Sequence, residues 1–189
     1  IETLLDMVTE DFNPYTTEEN DSTLKFSIIG RPNVGKSSLV NAILNEERCL
    51  VSDIAGTTRD SLDTKFAYDK RDYTIIDTAG MRKRGKIDEV VERYSVIRSL
   101  AAVDRSDVCI IMIDGTEGIC EQDTKIAGYA HEQGKACIIA VNKWDAVEKD
   151  DKTMKEFTDR LKEEFAYMSY ASLMFISAKT GQRIDKLLE

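Results

Sequence analysis

The sequence contains no apolar run that approaches the roughly 20 residues needed to span a bilayer, so we expect no membrane partner. It is also short of basic residues, since 26 Lys and Arg stand against 35 Asp and Glu, and the net charge is -9. Phosphate contacts need clustered Lys and Arg. This balance excludes a nucleic-acid footprint over the whole surface, although it allows one local basic patch.

Cysteine and histidine are scarce. The four cysteines (Cys49, Cys109, Cys120 and Cys137) show no C-x-x-C spacing and lie in apolar runs, which predicts reduced core thiols in a cytoplasmic protein. The only histidine, His131, is far in sequence from the motifs below, and we expect it at the surface or its boundary. The sequence has neither an initial Met nor a basic-then-apolar leader, so we expect a fragment without a signal peptide.

From residue 24 onward, apolar runs alternate with segments of helical periodicity. The predicted strands are 24–29, 61–68, 73–76, 108–113, 136–141 and 173–176, and the predicted helices follow residue 37 and lie near 89–104, 121–133 and 152–166. In the last of these helices, Met154, Phe157, Leu161 and Phe165 are spaced as one buried stripe. The alternation predicts an α/β fold, a three-layer α/β/α sandwich whose six-stranded sheet is mostly parallel with one antiparallel edge strand.

The first 23 residues have a different character. Residues 1–6 and 184–189 share one apolar and charged pattern, so we interpret 1–12 as the final helix of a preceding, similar domain, with helical coincidence as the alternative. Residues 13–23 form an acidic, Ser/Thr-rich linker. We therefore expect 1–23 to be a domain end plus linker, and 24–189 to be one domain whose last helix is cut short.

A phosphate-binding loop is predicted at residues 30–37, which fit the pattern G-x-x-x-x-G-K-S/T between a strand and a helix. Glycines let the backbone wrap a phosphate with its N–H groups and the helix N-terminus facing the anion. Lys36 would reach the β- and γ-phosphates, and the Ser37 hydroxyl would bind magnesium. This is the motif of a P-loop NTPase.

Residues 77–80 read Asp-Thr-Ala-Gly and follow the second strand of the predicted hairpin. Asp77 would hold magnesium, through water, and the Gly80 N–H would meet the γ-phosphate. In the loop at residues 56–60, one threonine, Thr57 or Thr58, would complete the magnesium shell as a switch loop does.

Guanine specificity is predicted from the N-K-x-D pattern of residues 142–145 at the end of a strand. The Asp145 carboxylate is a pure acceptor, which matches the N1–H and the amino group of guanine, whereas adenine would leave it unpaired. Lys143 would lie along the base, Asn142 would tie this loop to the P-loop, and Trp144 would serve packing. Ser177, Ala178 and Lys179 would offer a backbone N–H to guanine O6.

Met81 occupies the position after Gly80, and a thioether cannot orient a water molecule by hydrogen bonding. Another group must therefore steady the attacking water, either an arginine finger or a monovalent cation. Asn33 could bind such a cation or could instead shape the loop through a local hydrogen bond. The basic cluster Arg82, Lys83, Arg84 and Lys86 is either a solvated segment or a contact for RNA or a protein partner.

The stretches that carry a family resemblance are GRPNVGKSSLVNAIL, SDIAGTTRD, DTAGMRKRGK, ERYSVIRSLAAVDRSDV, DGTEGICEQD and NKWD. Over about residues 24–188 they resemble the Era-like GTPases, and most closely the second GTPase domain of the Der (EngA) family of bacterial ribosome-assembly factors. That family joins two GTPase domains by an acidic linker to a KH-like domain. The resemblance implies a P-loop NTPase G domain that hydrolyses GTP, acts in maturation of the large (50S) ribosomal subunit and associates with rRNA. The first GTPase domain and the KH-like domain would be missing from this chain.

The resemblance also implies potassium-stimulated hydrolysis, with Asn33 and backbone carbonyls of residues 52–57 around the cation, and Thr58 as the magnesium-binding threonine. The residues expected to bind GTP are Gly30, Arg31, Pro32, Asn33, Val34, Gly35, Lys36, Ser37, Ser38, Thr57, Thr58, Asp77, Thr78, Ala79, Gly80, Asn142, Lys143, Asp145, Ser177, Ala178 and Lys179. The expected catalytic residues are Lys36, Thr58, Gly80 and Asn33. The expected magnesium ligands are Ser37, Thr58 and Asp77, and the expected potassium ligand is Asn33.

Two other functions stay open from the sequence. One is a binding module that holds the nucleotide while hydrolysis is incidental. The other is the tRNA-modifying relative of the MnmE type, which also uses potassium and against which the basic run at residues 82–86 argues.

Overall fold

The computed structural model describes residues 23–51, 63–78 and 100–188, in which strands and helices alternate along the chain. The strands are β1 (Leu24–Gly30), β2 (Cys49–Val51), β3 (Thr64–Tyr68), β4 (Arg71–Ile75), β5 (Val108–Asp114), β6 (Ala136–Asn142) and β7 (Ser172–Phe175). The helices are α1 (Lys36–Leu44), α2 (Glu121–Glu132), α3 (Thr153–Glu164) and α4 (Asp185–Leu188), with a 3-10 turn at Ala166–Met168. Residues 100–104 are also helical.

Within the described residues the strands form one seven-stranded sheet in the order β2-β3-β4-β1-β5-β6-β7. Strand β1 lies in the middle and pairs in parallel with β4 and β5, and β6 and β7 continue the parallel part. Because these strands run in one direction, their carboxyl ends meet at one edge of the sheet, where open α/β sheets bind ligands.

The predicted count of six strands is wrong, because the short strand β2 adds a seventh. Its three residues are too few to show alternation in the sequence, and they become a strand by pairing antiparallel with β3. Strand β3 in turn pairs antiparallel with β4. Strand β3 is therefore the one strand that runs opposite to the others, as predicted. It is not the edge strand, however, because β2 pairs with its outer side.

Apolar clusters lie on both faces of the sheet, which confirms the three-layer sandwich. On one face, Leu39, Val40 and Ile43 of α1 pack with Leu187 and Leu188 of α4. On the other face, Ala127 and Ala130 of α2 pack with Leu161 of α3. Alternate residues of β5 contribute to the two clusters, so this strand is buried from both sides as its continuous apolar run predicts.

The predicted stripe on α3 is correct for three of its four residues. Leu161 and Phe165 are buried and Phe157 is half-buried, whereas Met154 is exposed. Met154 lies in the first turn of the helix, beyond the apolar cluster that the later turns contact. Spacing alone does not show where along a helix the sheet stops covering it.

The cysteines are free thiols, and all four lie in described parts of the chain. Cys109 and Cys137 are buried core residues, whereas Cys49 and Cys120 are only half-buried. His131 is half-buried between two tyrosine rings, which matches the expected boundary position. The predicted domain end and linker, apart from Thr23, and most of the predicted helix at 89–104 lie outside the described residues. Among the described helices, none combines the length and apolarity that a membrane crossing requires.

Candidate nucleotide-binding site

The loop from Gly30 to Ser37 joins β1 to α1 and lies fully within the described residues. Two glycines make its course possible. Gly30 has a φ of 148°, and a Cβ atom there would lie 2.6 Å from the Met112 carbonyl oxygen of the neighbouring strand. Gly35 has a φ of 101° and caps the N-terminus of α1. The backbone N–H groups at the start of α1 therefore open onto the carboxyl edge of the sheet, where an anion is favoured.

Lys36 turns back over this loop. Its Nζ donates hydrogen bonds to the carbonyl oxygens of Gly30 at 2.7 Å and of Arg31 at 2.6 Å, and the residue is buried. An ammonium group has three donors, and these two carbonyls hold it at a fixed place inside the loop. A positive charge fixed in this way next to the start of a helix suits the phosphates of a nucleotide.

The other loop residues divide into those that shape the loop and those that face outward. Val34 is buried and its carbonyl faces Asn142, whereas Asn33 and Ser38 are exposed and Pro32 is half-buried. Asn33 has a φ of 64°, and its side chain hydrogen-bonds to no other described residue. Its amide oxygen is therefore accessible from solvent, as a ligand for a bound cation must be.

The Arg31 side chain points away from the loop, a position that the motif did not predict. Its Nε donates to Asp123 Oδ1 at 2.9 Å and its Nη1 to Glu117 Oε2 at 2.9 Å. Burial acts to lower the pKa of Arg31, but hydrogen bonds and charges, first those of Asp123, outweigh it and raise the pKa. Arg31 thus contributes its backbone to the loop and its guanidinium to the anchoring of that loop on α2.

The groups expected to hold magnesium fit a hard cation with oxygen ligands. Ser37 Oγ is buried and has no hydrogen-bond partner among the described residues, and such a buried polar atom is normally satisfied. Asp77 Oδ1 is also buried, in the turn directly after β4. The hydroxyl and the carboxylate therefore supply the donor types of a magnesium site.

Asn142 joins three segments, of which its tie to the P-loop was predicted and its bond to the loop after β7 was not. Its Nδ2 donates to the Val34 carbonyl at 2.7 Å, and its Oδ1 accepts a hydrogen bond from the Ala178 N–H at 2.9 Å. Asn142 itself is buried at the end of β6. One amide side chain thus links the P-loop, the segment that carries Asp145 and the loop that follows β7.

Asp145 and Ser177 meet where guanine recognition is expected. The Ser177 hydroxyl donates to Asp145 Oδ1 at 2.6 Å, and this bond, more than any other contribution, lowers the pKa of the Asp145 carboxyl. Asp145 is exposed and therefore remains an ionised acceptor that a ligand can reach. Ser177 is buried, and the Ala178 N–H donates a hydrogen bond to Asn142 Oδ1. Lys179 is exposed at the same edge of the sheet.

Asp114 is a site residue that the motif search missed. It ends β5 opposite Asn142 in the register, is 1% exposed, and forms an ion pair with Lys143 Nζ. Thr116 also donates to Asp114 Oδ1 from its backbone N–H at 2.9 Å and from its hydroxyl at 2.6 Å. Burial acts to raise the Asp114 pKa, but these hydrogen bonds and the Lys143 charge lower it below its ordinary value. The signal in the sequence was an acidic residue directly after an apolar strand.

Three residues of the site have left-handed backbone conformations although they are not glycine: Asn33, Asp77 and Lys143, with φ of 64°, 57° and 58°. Such conformations cost free energy and are kept where the surrounding structure enforces them, often at ligand sites. In contrast, Trp144 packs as predicted. It is buried, with its ring centroid 4.4 Å from that of Phe175.

The structure therefore brings the P-loop, Asp77, Thr78, Asn142, Lys143, Asp145 and residues 177–179 to the carboxyl edge of one sheet. Several predicted residues lie outside the described residues. These are Thr57, Thr58, Ala79, Gly80, Met81, the carbonyls of residues 52–57, and the basic cluster Arg82, Lys83, Arg84 and Lys86. Their roles stay predictions.

Comparisons with known proteins identify the family to which the chain belongs. Residues 25–143 match the family described as 50S ribosome-binding GTPase. GTPase Der of Staphylococcus epidermidis is 59% identical over 185 residues, which is 97% of this chain and 42% of that protein. GTPase Der of Caldanaerobacter subterraneus is 60% identical over 186 residues, 98% of this chain and 42% of that protein. The chain thus spans less than half the length of these curated relatives.

A solved structure of Era, in complex with MgGDPNP and part of 16S ribosomal RNA, has a similar fold. Its TM-score is 0.66 at 27% identity, over 88% of this chain and 54% of the Era chain. The similarities confirm the resemblance to the Der family and the predicted G-domain fold. Because the family match runs from β1 through the P-loop to Lys143, the chain belongs to the 50S ribosome-binding GTPase family, whose members are GTP-hydrolysing enzymes.

Proposed function

We propose that this chain binds guanine nucleotides at the carboxyl edge of its sheet and hydrolyses GTP with the help of magnesium. The observation that carries the proposal is the double hydrogen bond of Asn142, which holds the P-loop and the Asp145–Ser177 pair at a fixed relative position. A phosphate chain and a purine edge can then be bound by one rigid frame. The family match and the relatives named GTPase Der support the same activity.

Each group has a role that follows from its chemistry. The Lys36 ammonium, held by two loop carbonyls, neutralises the β- and γ-phosphates together with the N–H groups at the start of α1. Ser37 Oγ and the Asp77 carboxylate hold magnesium, which when bound neutralises charge on the phosphate oxygens. Thr58 and Gly80, which lie outside the described residues, are proposed to complete the site around the γ-phosphate. The Asp145 carboxylate accepts the N1–H and amino group of guanine while Lys143, held by Asp114, lies along the base.

Calorimetric titration with GDP, GTP and ATP in magnesium buffer tests this assignment. We expect both guanine nucleotides to bind and ATP to bind at least about 10⁴-fold more weakly, because adenine leaves the Asp145 carboxylate unpaired. Equal affinity for ATP and GTP would contradict the base site. Binding of GTP without turnover would instead favour a module in which hydrolysis is incidental.

We also propose that potassium stimulates the hydrolysis through the Asn33 side chain. The support is the accessible amide of Asn33 at the rim of the loop, together with Met81, which cannot orient water. GTP turnover should be several-fold faster in potassium chloride than in sodium chloride at equal ionic strength. Asn33→Ala should abolish this difference, whereas Asn41→Ala, an exposed asparagine on α1, should keep it. Equal rates of the unaltered protein in both salts would refute the proposal.

The biological role that we propose is assembly of the large (50S) ribosomal subunit in the cytoplasm, with binding to rRNA in the full-length protein. The ribosome-binding character of the family and the Era structure with a 16S rRNA fragment support a ribosomal role. Co-sedimentation of the full-length protein with purified 50S and 30S subunits tests it. Binding to 50S subunits in the presence of a GTP analogue and release with GDP are expected, and equal binding to both subunits would contradict the assignment.

A further inference from the structure

Three separate parts of the chain meet beside the candidate magnesium ligand Asp77. Asp63 precedes β3, Asp77 follows β4, and Arg105 follows the helical residues 100–104. The Asp63 Oδ1 atom accepts a hydrogen bond from the Asp77 N–H at 2.8 Å. Arg105 forms an ion pair with Asp63 through Nη2 and Oδ2, and its Nη1 lies 3.5 Å from Asp63 Oδ1. The carboxylate of Asp63 is therefore held between a guanidinium and the backbone of Asp77.

The backbone of Asp77 needs such support. Its φ of 57° places it in the left-handed region, which residues other than glycine adopt at a cost, although aspartate tolerates it better than most. The carboxylate of Asp63 accepts the backbone N–H of Asp77, the residue with this conformation. A second hydrogen bond joins the next residue of each segment. The buried hydroxyls of Thr64 and Thr78 are 2.8 Å apart. The start of β3 thus fixes the chain at Asp77 and Thr78.

We propose that Asp63 is a positioning residue for magnesium binding, which holds Asp77 in the backbone conformation that aims its carboxylate at the metal, and that Arg105 orients Asp63. This inference rests on the proposed function, because it takes Asp77 as a magnesium ligand. In this proposal Asp63 acts through Asp77 and neither contacts the phosphates nor binds the metal itself. The side chain of Asp63 is 10% exposed and that of Arg105 is 44% exposed, so a change at Arg105 disturbs the packed core less.

A purely structural role for Asp63 makes a different prediction from a positioning role. If Asp63 only stabilised the hairpin, its loss would lower stability and weaken nucleotide binding equally with and without magnesium. If it positions Asp77, nucleotide binding in the absence of magnesium should be kept, because the P-loop and the base site are untouched. The effect should then appear in the magnesium dependence alone.

The experiment measures the affinity of fluorescent GDP at a series of magnesium concentrations, starting with EDTA. The magnesium midpoint is the magnesium concentration that gives half of the total change in GDP affinity. For Asp63→Ala we expect this midpoint to rise about tenfold or more, as when a group that orients a metal ligand is removed. The affinity in EDTA should stay within about twofold of the unaltered protein, since no residue of the P-loop or base site has changed. Asp63→Asn should show a smaller rise, because its amide oxygen still accepts the Asp77 N–H.

Two further variants complete the test. Asp72→Ala removes an exposed aspartate from the neighbouring strand β4 and should leave the magnesium midpoint unchanged. Arg105→Ala should raise the midpoint less than Asp63→Ala does. The double variant Asp63→Ala with Arg105→Ala should match Asp63→Ala, because Arg105 acts through Asp63.

The outcomes separate the two proposals. An unchanged magnesium midpoint in folded Asp63→Ala, or an equal loss of affinity in EDTA and in magnesium, would overturn the positioning role while GDP binding by the unaltered protein still supports the nucleotide site. Failure of the unaltered protein to bind GDP would overturn the proposed function itself. Should Asp63→Ala not fold, Asp63→Asn and Arg105→Ala decide the question by the same midpoint.

Discussion

A Cβ atom on Gly35 would lie 2.3 Å from Nδ2 of Asn142, far inside van der Waals contact. The same Nδ2 atom donates to the carbonyl oxygen of Val34 at 2.7 Å. The second glycine of the P-loop therefore leaves space for the side chain that joins the loop to the base site. Its φ of 101° is also unfavourable for residues with a side chain.

We expect Gly35→Ala to abolish nucleotide binding and to lower the free energy of unfolding. The methyl group must displace Asn142, which leaves the Val34 carbonyl without its partner, and each buried group that loses its hydrogen bond costs about 1–3 kcal/mol. The left-handed conformation adds about 1–2 kcal/mol. Urea unfolding and GDP titration measure the two effects.

Gly134→Ala is the matched control for this prediction. Gly134 also has a positive φ, 66°, but a Cβ atom there would meet no other described atom within 4 Å. The variant should lose about 1 kcal/mol of stability and keep its GDP affinity. Equal loss of nucleotide binding in both variants would show that backbone strain, and not the clash with Asn142, is responsible.

Asp145→Asn should change base preference from guanine toward xanthine. An amide offers one donor and one acceptor where the carboxylate offers acceptors only, so it pairs with the C2 carbonyl of xanthine and poorly with the amino group of guanine. We expect GTP affinity to fall roughly 10- to 100-fold and XTP affinity to rise. Competition titration with GTP and XTP measures the exchange. Glu148→Gln removes an exposed charge from the same segment and should leave both affinities unchanged, and unaltered GTP affinity in Asp145→Asn would count against the site.

Asp114→Asn should make the free energy of unfolding depend less steeply on pH in the acidic range. The pKa of Asp114 is lowered in the folded protein, so its contribution to stability is complete above the unfolded value near 3.9 and is lost as the pH falls through the folded value. We expect the variant to be about 1–3 kcal/mol less stable at pH 7 and this difference to shrink below about pH 4. Urea unfolding between pH 7 and pH 3 measures it. Asp151→Asn, a change at an exposed residue, should give a curve of unfolding free energy against pH that is parallel to that of the unaltered protein.

Asp123→Ala should destabilise the fold although the residue lies outside the nucleotide motifs. Its buried carboxylate accepts from Arg31 Nε at 2.9 Å and from the Cys120 N–H at 3.1 Å. Removal leaves the guanidinium with the exposed Glu117 and the Gly118 carbonyl and uncaps α2, and we expect a loss of about 2–3 kcal/mol. Glu121→Ala in the same helical turn should leave thermal unfolding unchanged, because its pair with Lys125 is exposed. A similar loss in both variants would show that helical charge, and not the buried pair, matters.

Local sequence patterns were sufficient for the parallel part of the sheet. The predicted runs at 108–113 and 136–141 became β5 and β6 with one residue added to each, because a strand buried on both faces must be apolar throughout. Strand β2 was missed, since three residues carry no measurable alternation and only the neighbouring β3 makes them a strand. The exposure of Met154 was missed for a related reason. The periodicity of a helix shows which side is apolar, but not how many of its turns contact the sheet.

The sequence alone determined the fold class and the nucleotide motifs, because the motifs are contiguous and their chemistry depends on the order of residue types: glycines for the loop, a lysine and a hydroxyl for phosphate and metal, an acidic residue for guanine. Only the tertiary structure decided which residues support them. Arg31 with Asp123, Lys143 with Asp114, and Asp63 with Asp77 and Arg105 are 92, 29, 14 and 42 residues apart in the chain. Charged and hydrogen-bonding pairs of this kind act over a few ångströms, so their partners become known only when the folded sheet brings the strand ends together.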